Sequence, residues 1–267
     1  MKLSTIFLFT LLLSLQVKAV DVYIIAGQSN GWRLSQLTRG NKKTLGGKIH
    51  YFGMHCVSEP VAGKYQLLDN INGMGAGLAS TLSKLSENDI VFIQYCRCGA
   101  AINHKAVNGW YPGNDPKNGK IYNDGLYGRF LKYIAHAKNH VENKLKLKWE
   151  VKALFWHQGE GDVNRNTDNK HRKRLSNLFY RFRQDLGKSL PIIAGELRER
   201  PGVPTDKAIN DAIRACAAKD PRLIIVNSQD LSFEKDYKGQ PNVHYNGTGC
   251  FKLGQRMAAA YKRLISL

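Results

Sequence analysis

Apolar residues fall into two rhythms along this chain. Short, nearly continuous runs occupy Val22 to Ala26, Ile90 to Tyr95, Val151 to Trp156, Pro191 to Ala194 and Leu223 to Val226. They are β-branched or aromatic and only a few residues long, as strands covered on both faces of a parallel sheet should be. Between them, apolar positions recur every three or four residues. Met74, Leu78, Leu82 and Leu85 form one such stripe, and Leu126, Phe130, Tyr133, Ile134, Ala137 and Val141 a second. Leu175, Leu178, Phe179, Phe182 and Leu186 form a third, and Cys250, Leu253, Met257, Tyr261 and Leu264 a fourth. Each stripe covers one face of a helix, and a weaker helix is expected from Asp206 to Ala218. The alternation predicts a three-layer α/β/α domain around a mostly parallel, five-stranded sheet. Two long irregular segments, Arg33 to Asn72 and Arg97 to Gly125, interrupt it; loops of that length in a compact domain often wall a site.

The N-terminus stands outside this pattern. Met1-Lys2 is followed by an apolar run from Leu3 to Leu15 and by Val17-Lys18-Ala19. The run is too short for a membrane span and reads as a secretory signal over residues 1–19, a buried N-terminal helix being the other reading. Residues 20–267 then form a single domain, exported to a periplasm or to the medium. No later stretch suits a bilayer, so no stable membrane insertion is expected. The chain's five cysteines, Cys56, Cys96, Cys98, Cys216 and Cys250, lack the paired spacing of a zinc site. Export permits disulfides, but an odd number leaves one thiol over, and buried free thiols fit equally well.

Chemistry-bearing residues gather where strands end. Ser29 follows the first strand, Gly99 the second and His157-Gln158-Gly159-Glu160 the third, while His244 follows the last. In an open parallel sheet these ends share one edge, the edge where ligands bind. A serine needs a base to take its proton, a third group to orient the base, and donors for the oxyanion. Gly27 and Gly31 flank Ser29 in a G-x-S-x-G pattern that permits a sharp turn. Only one strand precedes it, which argues against an α/β-hydrolase.

Four blocks together resemble the SGNH-hydrolase superfamily: Ala26-Gly27-Gln28-Ser29-Asn30; Cys98-Gly99-Ala100-Ala101-Ile102 with Trp110; Trp156-His157-Gln158-Gly159-Glu160-Gly161-Asp162; and Val243-His244 with Gly254-Gln255-Arg256. More narrowly they resemble the sialate O-acetylesterase and acetylxylan esterase branch, carbohydrate esterase family six. The resemblance implies a flavodoxin-like sheet and removal of acetyl groups from sugar hydroxyls. On matching positions it makes Ser29 the nucleophile and His244 the general base. The backbone N–H groups of Ser29 and Gly99 and the Gln158 side-chain amide would form the oxyanion hole.

The third triad member departs from the superfamily pattern. Many SGNH enzymes carry Asp three residues before the histidine, where this chain has Pro241. The narrower family implicates the Glu of the H-Q-G-E run, here Glu160; Asp162 is the alternative acid, and Asn242 could orient the ring without charge. Trp32, Trp110 and Tyr111 could wall a sugar site or pack in the core. His157 could join Glu160 and Asp162 around a metal, but two glycines after a strand favour a structural hydrogen bond instead. Neither metal nor nucleotide cofactor is expected.

Charge adds one element. The net charge of +19 becomes +17 once Lys2 and Lys18 leave with the signal. Lys42-Lys43, Lys144-Lys146-Lys148 and Lys170 to Arg174 read as solvated faces by default. Their field would still attract polyanions, pointing to an acetylated carbohydrate that is itself anionic. No nucleic-acid recognition motif accompanies the charge. Two competing functions keep the scaffold: an esterase on other short acyl esters, or a carbohydrate-binding protein without catalysis.

Overall fold

The structure, a computed structural model, describes residues 18–32, 43–44, 49–53, 70–71, 73–102, 108–113, 125–163, 170–235 and 241–266. Residues 1–17, which hold most of the expected signal, Cys56 and most of the two long irregular segments lie outside these residues.

The core is a parallel sheet whose centre is β1 (Ala19–Gly27). Its apolar run is continuous because both faces are covered. Val22, Ile24 and Ala26 enter one hydrophobic core, and Tyr23 and Ile25 the other. β5 (Asp89–Cys96) and β6 (Lys148–His157) flank β1 in parallel register, with Ile24 opposite Ile93 on one side and Leu154 on the other. β7 (Ile192–Gly195) and β8 (Leu223–Val226) continue the sheet beyond β6.

The sheet has six strands, not five. The sixth, β3 (Ile49–Gly53), pairs parallel to β5 at the edge and falls within the first segment expected to be irregular. Tyr51 and Phe52 are buried there, but two aromatic residues between His50 and Gly53 make too brief a run to read as a strand. With β3 set aside, the order β5-β1-β6-β7-β8 is the 2-1-3-4-5 of a flavodoxin-like fold.

Helices cover both faces. α3 (Leu126–Asn143) and α4 (Lys170–Leu186) pack on one through the stripes read from their sequence, and α5 (Pro204–Ala217) joins them through Ile209, Ile213 and Cys216. α2 (Gly73–Leu82) and α6 (Gly247–Ile265) pack on the other. α2 stops before Leu85, which lies in the turn that follows. A separate antiparallel pair, β9 (Phe233–Lys235) and β10 (Pro241–Tyr245), stands between β8 and α6. A two-residue pair, β2 (Lys43–Thr44) with β4 (Asn70–Ile71), completes the strands among the described residues. None of the helices among them is long and apolar enough to cross a membrane.

Candidate active site

The strand order reverses between β1 and β6, and a crevice at such a switch point is where open α/β sheets bind ligands. Gly27 and His157 end the two strands as register partners, and Gln28 N–H donates to the His157 carbonyl at 3.0 Å. Gly27 has φ +142°, and a Cβ there would lie 2.0 Å from that carbonyl oxygen. Its own carbonyl accepts the Arg97 N–H at 3.2 Å and Trp110 Nε1–H at 2.9 Å. The chain therefore turns sharply, and Ser29 opens the short helix α1 (Ser29–Trp32) with 6 % of its surface exposed.

His244 reaches Ser29 from β10. Its Nε2 lies 3.1 Å from Ser29 Oγ, within reach for proton transfer. The backbone around it is tied down closely. The His244 N–H donates to Asn242 Oδ1 at 2.6 Å, so Asn242 holds the main chain. Asn30 Nδ2 donates to the Val243 carbonyl at 2.9 Å, and Asn30 Oδ1 accepts the Tyr245 N–H at 3.1 Å. Phe233, opposite Tyr245 in the strand pair, packs against its ring with centroids 4.5 Å apart and planes tilted by 45°.

Glu160 joins this network through the same amide, since its Oε1 accepts from Asn30 Nδ2. Its Oε2 is buried without a hydrogen-bond partner. Burial pushes the carboxyl up to about 7, against hydrogen bonds from its own backbone and from Asn30. Nearby Asp206 pushes the same way, and Arg200 opposes it.

Gly99 sits on an exposed turn closed by Ala100 N–H donating to the Arg97 carbonyl at 3.2 Å. Its φ of +66° suits glycine, and a Cβ there would meet nothing within 4 Å. Gln158 and Asp162 support this turn. Gln158 Nε2 donates to the Ala100 carbonyl at 2.9 Å and to Asp162 Oδ2 at 2.6 Å, and Asp162 Oδ2 also accepts the Ile102 N–H at 2.9 Å. Both hydrogens of the Gln158 amide are thus engaged. The oxyanion bond expected of this amide would cost one of the two it makes here.

Two of the three aromatic residues that could wall a site or pack in the core are buried. Trp110 is 0 % exposed, with its ring centroid 5.2 Å from Trp156 and 5.6 Å from Phe130, so it belongs to the core. Trp32 is also buried, at 5 %, on the α2 and α6 side. Tyr111 is only partly buried, and burial raises its hydroxyl against the pull of Arg174.

His157 does not make the structural hydrogen bond expected of it. Both ring nitrogens are buried without partners, beside the Tyr245 ring at 5.4 Å. Burial lowers its ring to about 4. No group of three or more His, Cys, Asp or Glu side chains among the described residues could hold a metal. β5 ends at Cys96, so Cys98 lies in the Gly99 turn and not in a strand. Cys98 is disulfide-bonded, whereas Cys96, Cys216 and Cys250 are buried free thiols.

Sequence reasoning missed the parts played by Gln28 and Asn30, the two amides beside Ser29. Gln28 Oε1 accepts the Gly161 N–H at 3.0 Å, tying the Ser29 turn to the loop after β6. The signal was available: two polar side chains next to a buried serine are costly to bury without partners.

Comparisons with known proteins give the family. Residues 19–263 match the model of the family described as carbohydrate esterase, sialic acid-specific acetylesterase. No curated protein matches the sequence. Among solved structures the chain is similar to a protein from Arabidopsis thaliana, with 18% identity and a TM-score of 0.63 over 91% of this chain and 98% of that one. It is similar to NanS, with 14% identity and a TM-score of 0.62 over 94% of this chain and 98% of that one. A carbohydrate acetylesterase from Xanthomonas citri matches at 14% identity and a TM-score of 0.64, over 91% of this chain and 56% of the other. At such identities these likenesses speak for the fold, and the family match carries the chemistry: the chain belongs to the carbohydrate esterase, sialic acid-specific acetylesterase family and is a carboxylic ester hydrolase acting on carbohydrates.

Proposed function

We propose that this is an exported serine esterase that removes O-acetyl groups, of the acetylxylan or sialate type, from a carbohydrate through an acetyl-serine intermediate. The 3.1 Å contact between Ser29 Oγ and His244 Nε2 at the switch point carries this reading. Ser29 Oγ attacks the acetyl carbonyl while its proton passes to His244 Nε2. The tetrahedral oxyanion meets the N–H groups of Ser29 and Gly99, with Gln158 and Asp162 holding the Gly99 turn. Collapse breaks the bond to the sugar oxygen, which leaves with the proton from His244. Water, deprotonated by His244, then releases acetate and restores Ser29.

Glu160 is the acid of this cycle and reaches His244 through Asn30, to which its Oε1 is bonded. Asp162, the other acid considered, is committed to Ile102 and Gln158. Pro241 begins β10, so the usual acid position is backbone of the strand that delivers the histidine. Export rests on the charged and apolar N-terminal pattern. The positive charge favours an anionic glycan as substrate.

Fluorophosphonate labelling tests the mechanism. Stoichiometric modification at Ser29, blocked by prior incubation with an acetylated glycan, is expected; folded protein that stays unlabelled would leave a binding protein as the better reading.

A further inference from the structure

We infer that Asn30 is a positioning residue that sets the distance between Ser29 and His244, and that Glu160 acts on the histidine through it. The inference rests on the assignment of Ser29 and His244 above.

Asn30 is wholly buried, and its side chain holds the peptide groups on both sides of His244. Val243 O and Tyr245 N are the two backbone atoms bound, and His244 lies between them. Asn30 also directly follows Ser29 in α1. The nucleophile and the base, distant in sequence, are therefore joined by one amide and the few bonds on either side of it.

The amide has a fixed sense. Its nitrogen faces two acceptors, Val243 O and Glu160 Oε1, and its oxygen faces one donor, Tyr245 N. An inverted amide would turn oxygen toward both acceptors and lose all three bonds. The Glu160 carboxylate thus locks the clamp, which explains how an acid bonded to Asn30 contributes to catalysis at His244. A displacement of about 1 Å between reacting groups costs roughly 100-fold in rate, and a clamp this close to both groups guards against it.

The test measures acetate release by wild type, Asn30→Ala, Asn30→Asp, Glu160→Ala and the Asn30→Ala/Glu160→Ala double variant. Each rate is divided by the concentration of Ser29 that a fluorophosphonate can titrate, so unfolded protein does not count. Both Asn30 variants should lose roughly 100-fold in kcat per titrated site with KM nearly unchanged. Asn30→Asp keeps the acceptor for Tyr245 N but turns a carboxylate oxygen toward Val243 O and Glu160, so it tests the donor side of the clamp together with the repulsion that replaces it. The double variant should be no slower than Asn30→Ala, because Glu160 has nothing left to act through. A kcat per titrated site close to wild type in both Asn30 variants would overturn the clamp, as would losses that multiply in the double variant. Failure of the esterase reading looks different: wild type itself would release no acetate and leave Ser29 unlabelled.

Discussion

The hydroxyl of Ser29 and Nε2 of His244 lie 3.1 Å apart, although 215 positions separate the residues in the chain. Neither residue sets that distance alone. Ser29 is placed by the end of β1 and the start of α1, and His244 by a strand pair outside the main sheet. If this contact is the nucleophile–base pair, His244→Ala should slow fluorophosphonate labelling of Ser29 by on the order of 10⁴-fold. A labelling rate near wild type would mean that another group activates the serine.

The turn before Ser29 is the most constrained backbone in the site. Gly27→Ala would place a Cβ 2.0 Å from the His157 carbonyl oxygen at a φ of +142°. Separation of the β1 and β6 ends, or failure to fold, should follow. A variant with wild-type melting temperature and activity would show that the two strand ends are not in contact as described.

Much of the fold was legible before any coordinates because parallel strands buried on both faces leave unbroken apolar runs. Val22 to Ala26 is such a run, Val151 to Trp156 is broken only by Lys152, and both are strands of the central sheet. β3 was not legible: its buried Tyr51 and Phe52 stand between a histidine and a glycine. β9 and β10 were missed because three residues, Phe-Glu-Lys, carry no periodicity, and the strand pair gains its packing from the Phe233–Tyr245 contact. The site divides likewise. Ser29 and His244 could be named from motifs, but the partners of Gln158 depend on Asp162 and Ala100 meeting across two loops. No spacing rule encodes that meeting.

Glu160 should mark both the pH–rate profile and the stability. Its carboxyl is pushed up to about 7 from 4.5 by burial, so the folded state binds a proton more tightly than the unfolded chain. Stability from this group is complete below about 4.5 and is lost as pH rises through about 7. Glu160→Gln should therefore melt higher than wild type at pH 8, by about 1–3 kcal/mol, and gain little at pH 4.5. The same change should lower kcat/KM and remove an acid limb near 7 from the rate profile. A gain in stability confined to acid pH would reverse the sign and contradict the account.

His157 works in the opposite direction. Its buried ring is lowered to about 4 from 6.5, so the unfolded chain takes up a proton that the folded one refuses. Stability is full above about 6.5 and falls as pH drops toward about 4, by about 3 kcal/mol at most. Denaturant unfolding of His157→Phe between pH 4.5 and 7 should show a flatter dependence than wild type. An unchanged slope would mean that the ring is protonated or solvated in the folded protein.

Deacetylation of a carbohydrate by Ser29 is the reaction proposed for this protein. The most direct measurement is acetate release from acetylated xylan and O-acetylated sialic acid by wild type and Ser29→Ala, both shown to be folded. Release by wild type on at least one of these, with Ser29→Ala at the uncatalysed rate, is the predicted result. Equal release by the two proteins on every substrate would contradict it.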